Sequence, residues 1–257
     1  MRIFKSYLTE NRCYKAARKI VPKGIVVHST ATPQENVNVY LKSWNRSDPD
    51  MSVCVHAFVA EDGVYQTLPW NYRSWGCGTG SKGSYNSSHI QFEILEPNGT
   101  RTTDKKYNSK KNDKFFKAVY ANAVELCAKL CLEFTISVDD IVCHSEAHAK
   151  GYASNHADVM HWFPKHGKSM KKFRKDVADK IKKDTTPSVL YRVQVGAFYI
   201  KLNATNLSKK LKKAGYSNII VKSGKYYKVQ VGAFSVFNNA KRLQKELLSK
   251  KYDAIIV

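Results

Sequence analysis

The chain has 257 residues, 43% of them hydrophobic, and a formal net charge of +22. That apolar content supports a packed core and excludes global disorder, and the length suits one large domain or two modest ones. No run approaches the ~18 consecutive apolar residues of a transmembrane helix, so no membrane insertion is expected, while the charge calls for an anionic partner such as nucleic acid, an anionic membrane surface or a wall polymer.

Along the chain, Met1 to Ser6 is not followed by an apolar segment. No ordinary signal peptide is therefore expected, and a protein working outside the cell would be made in the cytoplasm and released by another route. Gly24-Ile25-Val26-Val27-His28 reads as a buried strand ending in a polar run. Val53 to Val59 alternates, turns at Glu61-Asp62-Gly63 and continues as Val64-Tyr65-Gln66-Thr67, a hairpin pattern. His89 to Leu95 is another strand. Asp113 can cap a helix running to about Phe134, with Phe116, Val119, Ala123, Cys127 and Leu130 on one stripe. Ile141-Val142-Cys143-His144 is a further strand end, and a last helix near Ser169 turns Met170, Phe173, Val177 and Ile181 inward. The region is α/β. Its six cysteines include no Cys-x-x-Cys pair, so reduced, mostly buried thiols are expected, with Cys127 and Cys131 on one helix face.

The tail repeats itself. Arg192-Val193-Gln194-Val195-Gly196-Ala197-Phe198 recurs 36 residues later as Lys228-Val229-Gln230-Val231-Gly232-Ala233-Phe234. Each alternating strand precedes a helical stretch (Ala204 to Ala214, Asn238 to Lys250) and a second strand (Asn218 to Lys222, Tyr252 to Val257), which is the ferredoxin-like βαββαβ plan. A linker at Asp184-Thr185-Thr186-Pro187-Ser188 divides the chain into domains 1–184 and 185–257. The tail carries 14 Lys or Arg against 2 Asp or Glu. Its paired lysines, Lys209-Lys210 and Lys212-Lys213, fit a solvated helix face or a binding patch.

Two strands end in histidine, His28 and His144, where an α/β domain keeps its ligand crevice. Asn155-His156-Ala157-Asp158 follows. Two imidazoles and one carboxylate form a common catalytic zinc set that leaves a position for water. Hydrolysis also needs a base, for which Glu93 is a candidate, and an oxyanion donor, for which His156 is one. Eight histidines allow other triplets, and the same residues fit hydrogen-bonded structural roles.

Residues 20–183 resemble the amidase-2 family, the N-acetylmuramoyl-L-alanine amidases of phage endolysins and their peptidoglycan-recognition relatives. The resemblance rests on Gly24 to Ala31, on Val53 to Val59 with Asp62 to Gln66, on Trp75-Gly76-Cys77-Gly78, on Asn86 to Glu93, and on Cys143-His144-Ser145-Glu146. It implies a central mixed sheet flanked by helices, a Zn2+ ion held by His28, His144 and Asp158, and Glu93 as base. The family usually has Lys-x-Asp or Lys-x-Cys where this chain has His156-Ala157-Asp158, so His156 takes the lysine's place; His156 or His161 as metal ligand is the alternative. Trp75-Gly76 replaces the family's Trp-His. His56 and Trp75 are candidate substrate contacts, His148 and His166 read as exposed, and His89 has no assigned role.

Residues 189–257 resemble the SPOR domain, a peptidoglycan-binding module. Gln194 and Gln230, with Tyr191, Tyr226 and Tyr227, are candidate sugar contacts or ordinary strand surface. The two resemblances imply a wall hydrolase that cuts between N-acetylmuramic acid and L-alanine, with bacterial peptidoglycan and anionic wall polymers as partners; a phage endolysin fits best. The rivals are a non-catalytic receptor on the same fold and a nucleic-acid binder. The second lacks any zinc finger, basic zipper or RNA-binding aromatic signature, so no nucleic-acid partner is expected.

Overall fold

Strand β1 (Ile3–Lys5) and helix α1 (Arg12–Ala16) open the chain; β2 (Gly24–Pro33), α2 (Val37–Trp44), β3 (Ala57–Ala60), β4 (Gly63–Gln66), β5 (His89–Glu96), α3 (Asp113–Phe134), β6 (Ile141–Cys143), α4 (His144–Ala149) and α5 (Met170–Thr185) follow. The tail adds β7 (Tyr191–Phe198), α6 (Lys201–Lys213), β8 (Asn218–Ser223), β9 (Tyr226–Phe234), α7 (Phe237–Ser249) and β10 (Ile255–Ile256). This is a computed structural model that describes residues 1–47, 53–98, 101–185, 190–235 and 237–257. Two compact units divide the chain, Met1–Lys183 and Asp184–Val257. Of the expected linker, Thr186, Pro187 and Ser188 lie outside the described residues.

The first unit is built on a six-stranded mixed sheet ordered β1-β4-β3-β5-β2-β6. Only the β3–β4 hairpin is antiparallel. Helix α3 forms because its apolar residues recur every three to four positions: Phe116, Val119, Ala123, Cys127 and Leu130 are all buried. It packs on the sheet beside Ile25, Val27, Ile90, Phe92 and Ile94. Truncating a fully enclosed ring such as Phe116 would cost about 3–5 kcal/mol. Alternation then dictates the other face. Val26 and Val142 leave this core and join Cys77, Ala147 and Ala153 in a separate cluster, so His28, two residues beyond Val26, shares their side. Gln91 and Glu93 alternate with Ile90, Phe92 and Ile94 in the same way.

Several expected boundaries move. Strand β3 begins at Ala57 rather than Val53. Strand β2 does not stop at His28 but runs on to Pro33, pairing again with β5 past a bulge between Ser29 and Pro33; backbone pairing ignores the polarity of its side chains. His144 is not a strand end but the first residue of α4, which starts directly after β6.

The tail unit has the antiparallel order β10-β7-β9-β8, the ferredoxin-like arrangement, with Val193, Val195, Val229 and Val231 facing Ala204, Leu211, Ala240 and Leu247 of the helices. Strand β10 is shorter than the expected Tyr252 to Val257, since the Tyr252 N–H donates back to Leu247 O at the end of α7. Among the described residues no helix is long and apolar enough to cross a membrane.

Candidate metal centre and active site

The parallel register of β2 and β5 places His28 opposite Glu93. His144 arrives from α4, whose start is fastened on several sides. Glu146 accepts from the backbone N–H of Cys143, and Arg174 of α5 donates to both Glu146 carboxylate oxygens and to Ile141 O. The loop after α4 returns Asp158, whose carbonyl accepts from Ser145 N.

These three side chains converge. His28 Nδ1 lies 3.1 Å from His144 Nδ1 and 2.9 Å from Asp158 Oδ2, while His144 Nδ1 is 3.6 Å from Asp158 Oδ1. Both histidines are buried and the aspartate nearly so. Donor atoms about 2.0–2.2 Å from a tetrahedral zinc stand roughly 3.2–3.6 Å from one another. The donor set and its separations therefore fit such an ion. Burial pushes the Asp158 carboxyl up, but hydrogen bonds and charge from His144 and His28 outweigh it and hold it well below the usual carboxylate range.

The outer nitrogens are held as well. His28 Nε2 is 3.0 Å from Gln91 Oε1, and His144 Nε2 is 3.3 Å from Ser154 Oγ. His156, exposed, sits with Nδ1 3.4 Å from His144 Nε2 and 3.1 Å from Ser154 Oγ. It borders the cluster on the far side of His144 and is not one of the three converging groups. His161 is elsewhere. Its Nε2 donates to Glu96 Oε1 at 2.8 Å, a bond that overcomes burial and raises its pKa.

Glu93 carries an orphaned atom: Oε2 is sealed from solvent with no hydrogen-bond partner. Burial, then the neighbouring Asp158 and Glu96 carboxylates, push its pKa well above the ordinary range against the opposing pull of His161. Glu96 itself is satisfied by Ala31 N, Thr102 Oγ1 and His161. The Glu96–His161 pair is a feature that no motif marked; only the fold brings residues 65 apart into one buried pair.

Other expectations need correction. His56 is completely buried, accepts at Nδ1 from Gln91 N and donates from Nε2 to Tyr72 O, so it cannot touch a substrate. Burial drives its pKa down to about 4. Trp75 is exposed, but it faces a cavity of about 280 Å³ lined by Arg12, Cys13, Ala16, Arg18 and Arg73, and none of the three converging residues lines that cavity. His166 is half-buried rather than exposed, stacked on Phe116 at 3.9 Å between ring centroids. His148 is exposed as expected. His89 is structural: its ring stacks on Tyr85 at 3.7 Å and fills the space a side chain at Gly24 would need.

In the tail unit, Gln194 and Gln230 are register partners on β7 and β9, on the face opposite the buried valines. Tyr191 and Tyr227 pack toward the core. Tyr226 is paired instead with Tyr199, hydroxyl to hydroxyl at 2.6 Å, with Lys225 over both rings. Tyr199 carries no repeat signal that marks it in sequence.

Residues 17–161 match the family model described as N-acetylmuramoyl-L-alanine amidase (Amidase_2), and residues 187–257 match the SPOR domain model. The amidase CwlH of Bacillus subtilis is 25% identical over 144 residues, covering 56% of this chain and 52% of CwlH, so the chain spans about half the length of that relative. A bifunctional autolysin of Staphylococcus aureus is 39% identical over 57 residues, 22% of this chain and 4% of the autolysin. Among solved structures, the S. aureus hydrolase AmiA in complex with its ligand shares the fold with a TM-score of 0.54 at 21% identity, over 72% of this chain and 85% of AmiA. The PlyG catalytic domain does so with a TM-score of 0.50 at 23% identity, over 73% of this chain and all of that domain. With the amidase model spanning more than half of its length, the chain belongs to the N-acetylmuramoyl-L-alanine amidase family Amidase_2.

Proposed function

We propose that the chain is a zinc-dependent peptidoglycan amidase that cuts between N-acetylmuramic acid and L-alanine, with residues 1–184 as catalytic domain and residues 185–257 holding it on the wall. The observation that carries the reading is the convergence of His28 Nδ1, His144 Nδ1 and an Asp158 oxygen, all within 4.8 Å of one another. Two imidazole nitrogens turned toward each other beside a carboxylate form a donor set that suits a divalent cation.

A zinc ion held there would supply a Lewis acid for the scissile carbonyl and a water of lowered pKa. The chain's own residues do the rest. Glu93, beside His28, has the unpartnered oxygen and the elevated proton affinity of a base that takes a proton from attacking water and returns it to the leaving amine. His156, exposed beside His144, is the residue assigned to donate to the developing oxyanion, a role that needs its side chain to turn from His144 Nε2 toward the cluster. In the tail, the facing Gln194 and Gln230 offer hydrogen bonds to sugar hydroxyls, and the excess of lysine favours anionic wall polymers.

The test is mass spectrometry of purified peptidoglycan digested with wild type, Glu93→Ala and His28→Ala. Wild type should release free L-alanine amino termini, and both variants should lose nearly all of that release. Cleavage of glycosidic or cross-bridge bonds instead would put the enzyme in another reaction class. Zinc bound with no cleavage would leave a receptor.

A further inference from the structure

His28 is backed by polar groups whose orientation the backbone dictates. Asn86, buried, accepts at Oδ1 from the N–H groups of Gly76 (3.0 Å) and Cys77 (3.2 Å), and its Nδ2 donates to Gly78 O at 3.2 Å. A side-chain NH2 cannot accept from a backbone N–H, so the Asn86 oxygen must face that turn. The same oxygen accepts from Gln91 Nε2 at 2.8 Å. Gln91, also buried, therefore spends its NH2 on Asn86 and turns its carbonyl oxygen to His28 Nε2, 3.0 Å away. An oxygen only accepts, so the Nε2 of His28 must carry the proton. In the neutral ring that a metal ligand must be, that leaves Nδ1 as the atom with a lone pair, and Nδ1 is the nitrogen facing His144 and Asp158.

Two neighbours support the arrangement. His56 Nδ1 accepts from the backbone N–H of Gln91 at 3.0 Å and holds the residue's main chain. Gly76 keeps space for the side chain, since a Cβ there would come within 2.6 Å of Gln91 Oε1. Gln91 in this position thus requires a glycine at 76.

We infer that Gln91 is a positioning residue of the metal centre: locked by Asn86 and the Gly76–Cys77 amides, it sets His28 as the Nε2–H tautomer and so presents Nδ1 to the ion. The inference rests on the reading of His28, His144 and Asp158 as metal ligands.

The experiment is chelator competition for zinc on the full chain, with thermal unfolding of each zinc-free protein as the folding control. Gln91→Met keeps the length but offers only a weak thioether acceptor, and it should bind zinc about 10–100-fold more weakly; Gln91→Glu still accepts from His28 but sets an oxygen against the Asn86 acceptor, so it should also bind more weakly than wild type. In zinc-loaded protein labelled with 15N-histidine, the His28 Nε2–H signal should exchange slowly in wild type and lose protection and move upfield in Gln91→Met. A folded Gln91→Met with wild-type affinity and an unchanged signal overturns the inference and leaves the metal reading intact. A wild-type chain that binds no zinc ends both.

Discussion

His28 and Glu93 stand side by side as register partners on parallel strands β2 and β5, turned to the face opposite α3. The pairing sets Glu93 beside the His28–His144–Asp158 cluster without making it part of that cluster. Glu93→Gln should therefore keep zinc at one ion per chain and lose about 10²–10⁴-fold in amide cleavage, the usual share of a general base. Loss of zinc from this variant, read by elemental analysis, would show that Glu93 holds the ion.

His156 touches the cluster from behind His144, at 3.4 Å from Nε2. A donor to the oxyanion should cost about 10²–10³-fold in kcat when removed. His156→Ala is expected to show that loss with zinc affinity little changed, because Ser154 still partners His144. A collapse of zinc affinity would instead make His156 a ligand.

Gly76→Ala should destabilise the fold. The added Cβ meets Gln91 Oε1 at 2.6 Å and Val55 Cγ1 at 3.0 Å, and overpacking of this kind costs about 1–3 kcal/mol. Gly76→Ala combined with Gln91→Gly should recover part of that stability in urea titrations while leaving zinc binding weak.

His56 is buried neutral, with burial holding its pKa near 4. Its unfolded counterpart titrates near 6.5, so the unfolded chain takes up the proton first as the pH falls. The stability contributed by the neutral ring is complete above pH 6.5 and is lost progressively down to about pH 4, amounting to about 2 kcal/mol by pH 5. Burial, with a smaller contribution from Lys150, does the same to His89, also near 4. Urea midpoints should fall between pH 7 and pH 5, and His56→Gln should flatten that slope; an unchanged slope would show that His56 does not titrate there.

In the tail, Gln194→Ala with Gln230→Ala removes two facing amides from one sheet surface. If each bonds a sugar with about 1 kcal/mol of net benefit, co-sedimentation with purified walls should weaken roughly ten- to thirtyfold. Wall affinity unchanged in that variant but lost in Tyr199→Ala with Tyr226→Ala would move the contact to the tyrosine pair.

Residues with strong periodicity were legible in sequence. The α3 stripe, the β3–β4 hairpin and the two tail repeats all follow from spacing, because burial of one face selects one period. Strand β1 and helices α1 and α2, of 3, 5 and 8 residues, carry too few periods to register: β1 exists because β4 pairs with it, α2 because Phe58 gives Tyr40 and Trp44 something to pack on, and α1, with no buried residue, is capped by Asn11. At the site, His28, His144 and Asp158 came from recognised segments and do converge. Spacing could not show which way a side chain turns: Trp75 points into a separate cavity, and His56 is sealed beneath the wall of the site. Nor could it show that Gln91, an ordinary polar residue on a strand, stands against His28.

The converging groups come from positions 28, 144 and 158, separated by as many as 130 residues. An unfolded chain has no such site to offer, so an ion that binds here binds only the native topology and ties its distant segments together. At a free ion concentration a hundredfold above its dissociation constant, that linkage adds about 2.7 kcal/mol to folding. If the cluster holds an ion as proposed, the metal supply around the protein would also set its resistance to heat and proteolysis, and a chain stripped of that ion would be less durable.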